Sequence, residues 1–211
     1  MDEIHWLGEH NDIEDVFTNL EEVLPLAIKM QRESGDTNGA LNALTPVINA
    51  AIGTDTPPNS RASFMRASLL EKAFDKARLI YKRAQRPKQA VACGMVSYFL
   101  SIKRISACAD FDAAQAAEIR SPLYQEYFNR DDEETQAEDM QRALDFENYA
   151  KEGLVQATAR LTDAFILAEA ERLLKQMKLD VALAKNILAA VYEPPHNPWE
   201  LFNTVMSAFD H

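Results

Sequence analysis

The chain has 211 residues and carries 22 Lys+Arg against 33 Asp+Glu, a formal net charge of −11 with histidine neutral. Apolar residues at 47% and charged residues at 26% exclude wholesale disorder, and a chain of this length buries roughly 70% of its extended surface, enough for a core without staples. Six glycines against 31 alanines argue against a β-sandwich or a glycine-looped α/β enzyme and for packed helices, because Ala loses no side-chain entropy in a helix.

The opening residues (MDEIHW) are acidic and lack a basic region followed by an apolar stretch, so they do not read as a secretory signal. The longest uninterrupted apolar-plus-glycine run, 90–96, falls far short of the ~20 residues that span a bilayer, and no membrane partner is expected. Asp12 is placed to cap a first helix in which Ile13, Val16, Phe17, Leu20, Val23 and Leu24 recur at spacings of three and four. Pro25 should kink or restart it, and Met30 extends the stripe before Gly35 stops it. A shorter element follows from Leu41, with Thr45-Pro46 read as N-cap plus first-turn proline of a piece ending near Gly53.

Residues 54–59 (TDTPPN) form a loop. Ser60 then caps a long helix to about Gln85, whose apolar side holds Ala62, Leu69, Ala73, Ala77, Ile80, Tyr81 and Ala84. After Pro87 a more apolar helix over about 89–109, with Val91, Met95, Tyr98, Phe99, Ile102 and Ile105, is expected to be the central one. Asp112 is placed to cap a short Ala-rich helix ending before Pro122. Residues 123–130 read as an aromatic connector, and Asp131 and Glu134 have capping-box spacing. A very long helical stretch then runs without proline to Pro194. Ala143, Phe146, Ala150, Leu154, Ala157, Leu161, Ala164 and Ala168 make it close to a heptad seam, with Gly153 a candidate bend. Asp180 caps a last helix to Tyr192, residues 193–198 (EPPHNP) break the chain, and 199–209 form a short amphipathic end piece. The reading is an all-α bundle of about seven or eight helices without significant sheet. It is taken as a single helical domain over 1–211, with candidate sub-boundaries in the loops 54–59 and 121–131.

Catalytic motifs are missing. Neither G-x-x-x-x-G-K-[ST] nor G-x-G-x-x-G occurs, nor C-x-x-C or H-E-x-x-H. The four histidines, His5, His10, His196 and His211, lie near the termini and define no metal spacing. Cys93 and Cys108 sit in apolar helix text as buried structural thiols. On one straight helix their fifteen-residue separation is ~22 Å, too far for a bridge. A reducing cytoplasm is the expected compartment. Glu133, Glu134 and Glu138 resemble part of the acidic metal-binding helix of helical Mg²⁺-dependent nucleotide pyrophosphohydrolases, and Glu134 and Glu138 share a face. That family carries a second paired acidic set downstream, which Glu147, Glu152 and Asp163 do not reproduce. Acids at a helix start also serve the macrodipole alone. No cofactor is implied.

Charge placement is the informative feature. Residues 1–36 hold ten acids and two bases, 61–104 hold eleven bases and two acids, and 110–152 hold thirteen acids and four bases. On the helix from Ser60, at 100° per residue, Arg61, Lys72, Lys76, Lys82, Arg83 and Arg86 fall within a ~120° arc opposite the apolar positions. Like-charge neighbours four apart, Lys72/Lys76 and Lys82/Arg86, each cost a few tenths of a kcal/mol, whereas Glu138/Arg142 and Glu147/Lys151 have favourable spacing. The basic face therefore meets the chain's own acids, an external anion, or water. Three functions compete. The first is a non-enzymatic regulatory or adaptor protein that binds a macromolecular partner, a protein or a second copy, through charged helix faces. The second is a nucleic-acid-associated protein using the basic face of 60–86, against which the net −11 counts. The third is a divalent-metal-dependent helical hydrolase acting on nucleotides through Glu133, Glu134 and Glu138.

Overall fold

A computed structural model describes residues 13–128 and 133–210. Among them nine α-helices and one turn of 3-10 helix follow one another with no strand, the all-α bundle that the alanine-rich, glycine-poor composition implies. In chain order these are α1 (Ile13–Ser34), α2 (Thr37–Gly53), α3 (Arg61–Arg83), α4 (Pro87–Ile119), α5 (Pro122–Phe128), α6 (Glu133–Arg160), α7 (Asp163–Gln176), the 3-10 turn Val181–Leu183, α8 (Ala184–Ala190) and α9 (Pro198–Ser207). The predicted cap at Asp12 lies outside the described residues.

Several helix ends form where local chemistry dictates. Ser60 accepts from the Ser63 N–H at 3.2 Å, opening α3. Asp180 accepts from the Ala182 N–H at 2.9 Å, and Asn197 from the Trp199 N–H at 2.8 Å. In each case a side-chain oxygen satisfies a backbone donor that has no intrahelical acceptor. Gly35 closes α1 in the left-handed region at φ 68°, donating its N–H to the Gln31 carbonyl at 3.0 Å.

Elsewhere tertiary burial overrides local breakers. α1 runs through Pro25 without restarting, with Leu24 and Ala27 buried on its inner side and Pro25 exposed. α2 does not begin at Thr45-Pro46 but at Thr37, because Asp36 accepts from the Gly39 N–H at 2.8 Å. Thr45 is interior and donates its hydroxyl to the Leu41 carbonyl. Ala40, Leu44, Ile48 and Ala51 pin the helix to the core on both sides of Pro46. Asp112 caps nothing: α4 passes through it, since Ala113, Ala114, Ala116 and Ala117 favour continuation and no Gly or Pro intervenes before Pro122. The aromatic connector is helical over 122–128, as α5. The long stretch after residue 133 is not one helix; it breaks at Leu161-Thr162, where the Tyr98 hydroxyl donates to the Arg160 carbonyl at 2.6 Å and holds the end of α6.

The 33 residues of α4 make a rod ~50 Å long that organises everything else. Its first half is buried on all sides, with Val91, Cys93, Met95 and Val96 at zero exposure, against α3, α7 and α9. Its second half buries only one stripe, Ala109, Ala116 and Ile119, facing α6. The result is a body and an arm. The body's core joins α1–α4 with α7–α9 and the end of α6 at Ala157, and the Trp199 ring packs edge-on to Phe74 with centroids 5.0 Å apart. The arm has a separate small cluster of Ala116, Ile119 and Ala143 under Tyr124 and Phe146. By length and composition α4 could cross a bilayer, but half of its most apolar window is buried, as in the core helix of a folded body.

The heptad-like seam divides. Ala143, Ala150 and Ala157 face α4, whereas Leu154 at 45% and Leu161 at 49% are exposed. α6 is continuous through Gly153, where a Cβ would lie 3.0 Å from that of Ala109. It is a contact glycine at a close helix crossing. Glu147 is not paired with Lys151 but with Arg120 at the end of α4.

Candidate functional site: a basic cleft where two helices end

The basic segment is partly neutralised within the fold. Arg78 pairs with Asp75 at 2.7 Å, Arg104 with Glu71 at 2.6 Å, and Lys88 loosely with Asp210 at 3.8 Å. Arg66 donates to the Ile52 carbonyl at 2.9 Å and Lys103 to that of His196 at 3.1 Å. Lys72, exposed on α3, is also engaged. Lys76 is half-buried midway along the helix. Arg61 begins it, ~33 Å of helical rise from Arg83. The six predicted cations therefore form no continuous track.

Three of them do gather, at the C-terminal end of α3. Lys82 and Arg83 line an open cleft of about 580 Å³ whose opposite wall is the end of α7, with Gln176, Met177 and Lys178. Arg86 lies just beyond, exposed, close enough for its charge to act on Tyr81. Lys175, in the last turn of α7, adds to the same end. Among the described residues none of Lys82, Arg83, Arg86, Lys175 and Lys178 forms an ion pair.

The two helix ends are built alike. Gln85 stands at φ 57°, with its N–H on the Lys82 carbonyl (3.2 Å) and the Arg86 N–H on that of Tyr81 (3.0 Å). Lys178 stands at φ 56°, with its N–H on the Lys175 carbonyl (3.1 Å) and the Leu179 N–H on that of Leu174 (3.0 Å). Both are Schellman closures with a bulky residue where glycine is preferred, each at a cost of ~1 kcal/mol or more. The two strained residues line the same cleft, and backbone strain of this kind tends to gather at working sites.

Some of the charge serves the helices themselves, because cations complement the negative C-terminal dipole. Each helix end carries about half an elementary charge, so two ends offset about one of five cations. The remaining excess is an electropositive cleft with a small apolar floor from Leu79, Pro87 and Met177. Arg83 offers a planar fork suited to carboxylate or phosphate, and the lysines offer point charges.

The other predicted sites gain no such support. Glu134 and Glu138 are exposed on α6, and the Glu133 side chain lies outside the described residues. No group of three or more His, Cys, Asp or Glu capable of holding a metal occurs among the described residues. His5, His10 and His211 lie outside them. Burial pushes the Cys93 thiol far above its ordinary range, with Arg78 opposing. Cys108 is raised first by burial and then by Asp112, whose carboxylate lies 3.7 Å from its sulfur. Neither is an activated nucleophile. No protein family, curated protein or solved structure matches the chain.

Lys178 escapes sequence reasoning because it lies 95 residues beyond Arg83 and no local pattern links them. The end of α3 does carry a local signal, Pro87 two residues after Gln85, since proline commonly follows a closed helix C-terminus.

Proposed function

We propose that the protein is a non-enzymatic helical adaptor, acting in a reducing cytoplasm, that captures a short acidic segment of a partner protein in the cleft between α3 and α7. One observation carries this reading: five cations collect at a single end of the bundle without an acid of the described chain on them, while other bases of the 61–104 segment are engaged inside the fold. A short ligand fits better than a nucleic-acid strand. The basic residues are local to one helix end, and a molecule of net charge −11 repels a long polyanion outside that spot. The cleft's apolar floor adds contacts that a peptide side chain can use.

Fluorescence anisotropy with a labelled Asp/Glu-rich decapeptide tests it, beside single-stranded DNA of equal charge. The peptide should bind at low salt, weaken as salt rises, and lose at least tenfold in affinity when Lys82, Arg83 and Lys178 are reversed to Glu. Arg61→Glu at the far end of α3 should leave affinity unchanged. Absence of peptide binding at low salt, or an equal loss from Arg61→Glu, overturns the reading. DNA binding tighter than the peptide, lost with Lys82 and Arg83, would move the function to nucleic acid.

A further inference from the structure

A second cavity lies on the body, away from the basic cleft, and its chemistry differs. It encloses about 370 Å³, within the ~300–1,000 Å³ range of small-molecule sites. Its floor is one face of α4 and its walls come from two proline-rich loops, 54–60 and 193–197, with the start of α9. Prolines are stiff, so the walls are largely set before any ligand arrives. Phe99, Leu100, Leu201 and Pro195 make most of the lining apolar.

Polar groups are few and unevenly placed. Lys103 lines the cavity from an exposed position, and of its three N–H donors one is used, on the His196 carbonyl. No described carboxylate pairs with it. Partial burial, then the like charge of Arg66, pull its pKa down, the mark of an ammonium short of a counter-charge. Asp110 lies seven residues further along α4, ~10 Å of rise away, and makes that end of the floor negative. Ser106 stands between them, its hydroxyl without a partner among the described residues.

We propose that this cavity binds an amphipathic monocarboxylate, its apolar chain or ring seated on Phe99, Leu100 and Leu201 and its carboxylate on the Lys103 ammonium. Asp110 sets the polarity, because a carboxylate at the far end meets a like charge. The binding tells ligands of one chain length apart: an anion gains the ammonium, a neutral alcohol gains no ion pair, and a cation is repelled by Lys103 and reaches Asp110 only in the reversed orientation. Occupancy also reaches the 193–197 loop, since the ligand shares the Lys103 ammonium with the His196 carbonyl.

Calorimetry with decanoate, decanol and decyltrimethylammonium, each below its micellar concentration, tests this on the full chain. Decanoate should bind one-to-one and at least tenfold more tightly than decanol, with the cation also weaker than decanoate. Lys103→Met should bring decanoate and decanol to within about twofold of each other, chiefly by weakening decanoate. Ser106→Trp, which fills the cavity, should abolish both, and Ala107→Leu serves the same purpose should the tryptophan variant melt early. Equal binding of decanoate and decanol by the wild type, a preference that survives Lys103→Met, or binding that survives the filled cavity each overturns the proposal.

Discussion

Gly94 faces Leu173 where α4 packs on α7, and adding one methyl there tests the packing of the body. A Cβ at this position would stand 2.6 and 2.8 Å from the two methyl carbons of Leu173 and 3.2 Å from Cδ of Arg78. Comfortable carbon contacts are ~3.5–4.0 Å, so the neighbours must give by about 1 Å. Leu173 is wholly buried and has little room to yield. Overpacking of this sort costs ~1–3 kcal/mol, while replacing an interior helical glycine by alanine returns ~0.8–1 kcal/mol. Gly94→Ala should therefore destabilise the chain by about 1 kcal/mol, or ~2–4 °C in Tm at this size. Leu173→Ala alone leaves a cavity and should cost ~2–5 kcal/mol. In the double variant the new methyl enters that cavity, so its loss should fall short of the sum by ~1–2 kcal/mol. Gly153→Ala is the contrasting case. Its Cβ is tight only against that of Ala109, at 3.0 Å, with the Ile105 carbonyl and the Ala109 Cα at ordinary contact distance, and α6 rests mainly on α4, so it can shift and propensity should prevail, leaving stability unchanged or slightly raised. Urea unfolding with constant m-values measures all four. A stabilising Gly94→Ala together with an additive double variant would refute the close approach of α4 and α7.

The two strained helix ends make a second case: Gln85→Gly and Lys178→Gly should each raise stability by ~1 kcal/mol by relieving the left-handed conformation, and a drop in Tm for both would remove strain from the description of the cleft. Tyr98→Phe should cost ~1 kcal/mol by stranding the Arg160 carbonyl, with faster amide exchange confined to the α6–α7 corner as the specific signature. Cys93 links stability to alkaline pH: its folded-state pKa is raised, so above the unfolded thiol's ~8.5 the unfolded chain releases a proton that the folded chain retains. Stability should then fall by up to ~1.4 kcal/mol per pH unit, so the advantage of the wild type over Cys93→Ala should shrink by roughly 1.5 kcal/mol between pH 8.5 and 10, and parallel profiles would exclude the linkage.

Features governed by neighbours two to four residues away were legible in the sequence. Ser60 and Asp180 are legible as caps because the donor each satisfies lies within three residues, and the 89–109 part of α4 stands out because it is more apolar than the helices around it. What sequence misread was decided by packing. Pro46 and Asp112 carry breaker chemistry, yet burial of Leu44 and Ile48 around one, and an alanine run after the other, outweigh a single lost hydrogen bond or an unfavourable propensity. The break at Thr162 depends on Tyr98, 62 residues upstream of the Arg160 carbonyl it holds. The basic arc on α3 was visible, but which cations remain outside ion pairs depends on Glu71, Asp75 and the end of α7, and no helical wheel contains that.

The arm has a consequence for how the molecule opens. It is zipped to α4 largely through alanine and glycine, and a methyl removes far less surface from water than the leucines and phenylalanines of the body. Close approach here brings little cohesion. The rod of α4 is one unbroken helix in geometry, yet its first half should open only with global unfolding and its second half through a smaller, local fluctuation. Amide protons of 143–150 should exchange well before those of 90–102, and each such opening changes the reach of α5 without disturbing the body that carries it.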